Sequence, residues 1–132
     1  MATFGVPMAG PDDAANALAC ARAIQETFAT EHLLDGESVE VGIGAHFGEV
    51  VMGDLGGEQR MEFGVIGDTV NDASRLEGLT RQLGPVVVSD ELFTAAGAAD
   101  AVQNGFRRVL GQQLRGREEP IDIWVLDSEL RR

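Results

Sequence analysis

The stretch Glu62-Phe63-Gly64-Val65-Ile66-Gly67-Asp68-Thr69-Val70-Asn71-Asp72-Ala73-Ser74-Arg75-Leu76-Glu77 joins two kinds of backbone at one glycine. Met61 to Ile66 reads as a strand and Gly67 allows a turn. Val70, Ala73, Leu76, Leu79 and Leu83 then recur at helical spacing, with Asp68 suited to cap the helix start. A helix that opens at the end of a strand aims free backbone N–H groups and a positive dipole end outward. Asn71 and Arg75 lie four residues apart, so their side chains leave the helix on one face. An amide that fixes a hydroxyl, beside a guanidinium that grips phosphate oxygens, suits phosphoryl-transfer chemistry. The same spacing fits a plain polar face with Arg75 paired to Glu77 or Asp72, and spacing alone favours that reading.

On the N-terminal side, Val50-Val51-Met52 and the turn-forming Gly53-Asp54-Leu55-Gly56-Gly57 make a hairpin with the strand over 61–66. Val39, Val41, Ile43 and Ala45 alternate with Glu40, Gly42, Gly44 and His46, the period of a half-buried strand. The run Gly42-Ile43-Gly44-Ala45-His46-Phe47-Gly48 is not a dinucleotide fingerprint: its third glycine is one residue late and its glycines lie within a strand. Glycines on one strand face instead allow a helix or another subunit to approach closely. His46 has no ligand partner at useful spacing, so a structural or surface role is expected. Further back, Pro11 is placed to open a helix over roughly 11–31, with Asp12 and Asp13 at its positive end and Ala14, Leu18, Ala21, Ile24 and Phe28 facing inward. Pro7 to Pro11 reads as a turn and the first six residues as a short strand.

On the C-terminal side, Val86-Val87-Val88 is a short buried strand, and Ser89 caps a brief helix through about Ala96. Phe106 to Leu110 and Ile121 to Leu126 form a final strand pair. The sum is an α+β domain with a largely antiparallel sheet and helices on one face, spanning residues 1–132 as one unit.

Composition removes several function classes. A formal charge of −12 lacks the clustered Lys and Arg that release phosphate counterions, so nucleic acid is not an expected partner. A ferredoxin-like RNA binder would also need exposed aromatics on a basic sheet, and the chain has no tyrosine. The single cysteine, Cys20, reads as a small buried filler. No apolar run is long enough for a membrane segment and no signal-like N-terminus is present, so a cytoplasmic location is expected.

Val65-Ile66-Gly67-Asp68-Thr69-Val70-Asn71 with Ala73-Ser74-Arg75-Leu76-Glu77 closely resembles the hallmark segment of the class III adenylate/guanylate (nucleotidyl) cyclases. Ile43-Gly44, Gly48-Glu49-Val50-Val51 and Gly53-Asp54-Leu55-Gly56 resemble the preceding family hairpin. Ala2-Thr3-Phe4-Gly5-Val6-Pro7 resembles the strand end before the family's Ala-rich helix, and Leu114-Arg115-Gly116-Arg117 with Glu119-Pro120 its last hairpin. The resemblance implies a ferredoxin-like cyclase catalytic domain that converts ATP (or GTP) to the 3′,5′-cyclic nucleotide and pyrophosphate. Its sites are expected between two domains, in a homodimer or with a cyclase-domain partner.

By the same resemblance Asn71 orients the ribose and Arg75 stabilises charge at the α-phosphate, as the two catalytic residues. Gly64, Gly67, Asp68 and Arg115 lie on the substrate side, Arg115 for the terminal phosphates. Gly64 stands where many members carry Asp, Thr or Ser to read the base. Mg²⁺ or Mn²⁺ is expected for the family, whose metal aspartates precede the strand end that matches Met1-Ala2-Thr3-Phe4-Gly5. The expectation is therefore a domain lacking its first β-α unit and its metal ligands, inactive without a metal-competent partner, with a strand edge left open to pairing. The alternative is a degenerate cyclase-like regulatory or dimerisation module.

Overall fold

A computed structural model describes residues 1–6, 8–30, 40–54, 63–97 and 105–126. Their order is α1 (Asp13–Thr30), β1 (Ile43–Ala45), β2 (Val51–Asp54), β3 (Phe63–Ile66), α2 (Asp68–Gly78), α3 (Thr80–Leu83), β4 (Val86–Ser89), α4 (Asp90–Ala95), β5 (Phe106–Gln112) and β6 (Ile121–Leu126). One sheet runs β1-β4-β6-β5, with β1 parallel to β4 and the other two pairings antiparallel. β2 and β3 pair separately and antiparallel, with Gly53 opposite Gly64.

The two central strands, β4 and β6, read as near-continuous apolar runs because both of their faces are covered. Val86 and Val88 join Ala14, Leu18 and Ala21 of α1 and Leu92 and Phe93 of α4 in one core. Val87 points the other way, to Leu76 of α2 and to Leu114, Ile121, Ile123 and Val125. Helices therefore lie on both faces of the sheet, which corrects the expectation of one helical face. Three consecutive buried valines could have signalled it, since period-2 geometry sends the middle one to the opposite side.

Gly44 sets the distance between β1 and α2. A Cβ there would stand 2.5 Å from the Ala73 carbonyl oxygen and 2.7 Å from Glu77 Cα, so only glycine permits the approach. The strand glycines do face a helix, as expected. Ser89 caps α4 as expected, its Oγ accepting from Leu92 N at 3.2 Å, a bond worth about 1 kcal/mol.

Local expectations fail where longer-range contacts decide. The first six residues are not a strand; Gly5 takes φ +88° and breaks the extended run. Helix α1 opens at Asp13, not Pro11, because Asp13 Oδ2 accepts from Gly10 N at 2.6 Å and closes the turn ahead of it. Its inward stripe continues from Ala21 to Gln25, leaving Ile24 and Phe28 exposed. Cys20 is half-buried. The cap of α2 is Gly67, and Asp68 is the first helical residue, with no side-chain cap bond. Pro7, Val39, Leu55 to Gly57, Met61, Glu62 and the expected helix end at residue 31 lie outside the described residues.

Candidate functional site

The loop between β5 and β6 is anchored by Leu114, buried in the second core. Arg117 N donates to Leu114 O at 3.1 Å, closing a turn whose third residue, Gly116, takes φ +85°. Such a turn leaves Arg115 exposed at its corner and returns Arg117 toward α2. A Cβ on Gly116 would stand 2.7 Å from Arg75 Nη2, so the glycine also makes room for that guanidinium. Between the turn and the first half of α2 lies a cleft of about 290 Å³, lined by Asp68, Asp72, Arg75, Gly116 and Arg117.

The start of α2 is held from the other side. Thr69 Oγ1 donates to Glu49 O at 2.6 Å, and Gly67 O accepts from Val70 N and Asn71 N at 3.2 and 3.3 Å. Asp72, with a side chain 8% exposed, accepts from Arg117 Nη1 at 2.9 Å and from Arg75 Nη1 at 3.4 Å. The Asp72 pairing of Arg75, one of two partners raised by its helical spacing, is thus present.

Behind Asp72 stands His46, equally buried, with Nε2 3.7 Å from Asp72 Oδ2 and Nδ1 2.7 Å from Ser89 Oγ. Ser89 Oγ also accepts from Leu92 N, and Glu91 Oε2 lies 3.5 Å from His46 Nδ1 on the same side. Burial holds the His46 pKa below its usual 6.5; Glu91 and Asp72 oppose that shift, and Arg117 adds to it. The folded protein then binds fewer protons than the unfolded chain once the pH falls below 6.5. Stability from this group is intact above 6.5 and declines from there toward the lower folded value. Between about pH 7.5 and about pH 5.5 the thermal midpoint of the unsubstituted protein is expected to fall further than that of His46→Gln. Parallel curves for the two proteins would show that His46 is not held neutral.

Of the residues singled out from sequence, Arg75 and Asp68 line the cleft. Gly67 shapes the start of α2, and Gly64 lies in β3. Asn71 is exposed one helical turn before Arg75, and Arg115 is exposed on the turn, neither of them among the lining residues. Asp72, Gly116, Arg117 and His46 were missed as site residues. The helical spacing suggests Asp72 only as a partner of Arg75, whereas it is a buried counter-ion that Arg117 also meets from a distant turn.

The described residues of the cleft do not by themselves make a site for a divalent ion. Both oxygens of Asp72 face arginines, which leaves Asp68 as the remaining carboxylate among the described lining residues. Among the described residues no group of three or more His, Cys, Asp or Glu could hold a metal. Among them, too, no helix is long and apolar enough to cross a membrane.

Comparison with known proteins agrees with the topology and the motif. The Adenylate and Guanylate cyclase catalytic domain profile matches residues 1–127. An adenylate cyclase of Anabaena cylindrica is 59% identical over 93 residues, covering 68% of this chain and 18% of that protein. Adenylate cyclase 1 of Rhizobium meliloti is 32% identical over 134 residues, covering 98% of this chain and 20% of that protein. The guanylate cyclase domain of RhGC from Catenaria anguillulae, solved in complex with GTP, superposes with a TM-score of 0.71 at 26% identity, covering 92% of this chain and 63% of that one. The chain thus spans about a fifth of the length of these curated relatives. With its profile match, its hallmark strand-turn-helix and its cyclase topology, the chain belongs to the adenylate and guanylate cyclase catalytic domain family.

Proposed function

We propose that this chain supplies one side of a nucleotidyl cyclase site that converts ATP or GTP to the 3′,5′-cyclic nucleotide and pyrophosphate. The observation that carries the reading is the convergence of Arg75 and Arg117 on one cleft at the start of a helix whose hallmark sequence is that of the family. Arg75 would stabilise negative charge as the ribose 3′-oxygen attacks the α-phosphorus and pyrophosphate departs. Asn71, on the same helix, would orient the ribose. Arg117 faces the cleft and so takes the terminal-phosphate role expected of Arg115. A base reaching Gly64 would meet main chain alone.

Mg²⁺ or Mn²⁺, when bound, would activate the 3′-oxygen and neutralise the triphosphate. Since the described residues of the cleft offer no ligand set for such an ion, we place its ligands outside them, on a partner domain. Phe47, Val50 and Val51 are exposed in succession on the way into β2, Val51 by 61%, and offer an apolar strip for that partner to cover. A cytoplasmic setting, where nucleoside triphosphates are available, fits this role.

Complementation tests the proposal. A metal-competent cyclase domain mixed with this chain is expected to gain cyclase activity, and the gain should vanish with Asn71→Ala or Arg75→Ala. The exposed strip equally favours a regulatory or dimerisation module. A mixture that forms a complex but is no more active than the partner alone would select that reading.

A further inference from the structure

Among the described residues, two acidic and two basic side chains line the cleft, and their formal charges cancel. That balance is unexpected at a place meant for an anion, because a carboxylate at the back of the site repels the ligand. Asp68, in the first turn of α2, has a local explanation in the helix dipole. Asp72 does not: it is buried, and a buried carboxylate persists only when its oxygens are partnered. Its partners come from opposite walls. Arg75 belongs to α2 and meets Oδ1, while Arg117 belongs to the β5–β6 turn and meets Oδ2. Each arginine spends one Nη on the carboxylate, and its guanidinium fork carries further N–H donors for a ligand.

We propose that Asp72 is the positioning residue of the cleft: its carboxylate, backed by His46, fixes Arg75 and Arg117 relative to one another so that a polyphosphate meets both guanidiniums as one unit. The inference rests on the reading of the cleft as a triphosphate site. The geometry explains why an acid sits there. Two long side chains from separate elements would otherwise sample many rotamers, and one shared carboxylate holds both forks ready before the ligand arrives. His46 closes the far side of Asp72 and keeps the carboxylate from turning away, being itself held by Ser89 at the start of α4.

The test is a pair of double-substitution cycles read by calorimetry on the whole chain. The probe is inorganic tripolyphosphate, which has the triphosphate charge and no base. Arg75→Ala, Arg117→Ala and their combination are compared with and without Asp72→Asn. With Asp72 present the two arginines act as a unit, so the combination loses less affinity than the product of the single losses, by about threefold or more. With Asp72→Asn the losses multiply, to within about 1.5-fold. A pure charge effect would raise every affinity in the Asp72→Asn series and leave the coupling intact; that result overturns the proposal while the triphosphate reading survives. Failure of the unsubstituted chain to bind tripolyphosphate overturns the proposal, whereas the triphosphate reading itself falls only if the complemented mixture gains no cyclase activity. A further measurement needs no variant and covers the case in which Asp72→Asn does not fold. Nitrogen NMR of the unsubstituted chain should show slower guanidinium rotation at Arg117 than at exposed Arg115, and equal averaging at the two also overturns the proposal.

Discussion

Arg75→Ala is expected to lower the complemented cyclase rate by roughly a hundred- to a thousandfold, with a much smaller change in KM. The guanidinium reaches into the cleft beside Gly116, where a developing phosphate charge would lie, and an interaction made chiefly with the transition state appears in kcat. Folding should be affected little. The Arg75 side chain is 34% exposed and its contact with Asp72 is the longer of the two, so Asp72 keeps Arg117 when Arg75 is gone. Arg75→Lys should recover only part of the rate, since an ammonium keeps the charge and loses the planar fork. Steady-state kinetics of the complemented mixture decides the matter. A loss confined to KM would place Arg75 in ground-state binding alone, and an unchanged rate would remove it from the site.

The second large effect is on stability. Gly44→Ala should destabilise the fold by about 3 kcal/mol, at the upper end of what overpacking commonly costs. The added methyl would meet the backbone of Ala73 and Glu77, with no flexible side-chain tip to yield, so α2 would have to lift from β1. A domain has only about 5–15 kcal/mol of stability in all, and the displaced helix is the one that bears Asp72 and Arg75. Gly78→Ala is the matched control. A Cβ there meets nothing within 4 Å, and Gly78 does not have a positive φ, so the change should be neutral or stabilising by up to about 1 kcal/mol. Urea unfolding of the two variants should separate them clearly. Equal midpoints would mean that strand and helix do not approach as closely as described.

The residues that made the family recognisable in sequence are those with local geometric duties. Gly67 turns the chain with φ +133°, Asp68 begins a helix, and Val70, Ala73 and Leu76 supply its inner face. The strand pair at the C-terminal end and the Ser89 cap were legible for the same reason, since turn chemistry, periodicity and capping act within a few residues. The α1 stripe was legible only in part. Local spacing placed Ile24 and Phe28 inward, whereas the contact with the sheet follows Ala14, Leu18, Ala21 and Gln25.

The site shows the same division. Neither Asp72 nor Arg117 was chosen from sequence, although Arg117 stood in a quoted motif beside Arg115. Which of two arginines flanking a glycine faces the cleft depends on how Leu114 anchors the turn in the core and on the positive φ of Gly116. Asp72 and Arg117 lie 45 positions apart, as do elements whose separation in the chain says nothing about their meeting.

By itself, then, the sequence determined the strand-turn-helix, the spacing of Asn71 and Arg75, the α+β class and the family, because each is written in short-range pattern. Tertiary structure alone decided that helices cover both faces of the sheet, that Asp72 is a buried counter-ion shared by two walls, and that Arg117 takes the cleft while Arg115 stays outside. Burial and the encounter of distant residues arise from packing the whole core, and no local periodicity encodes them.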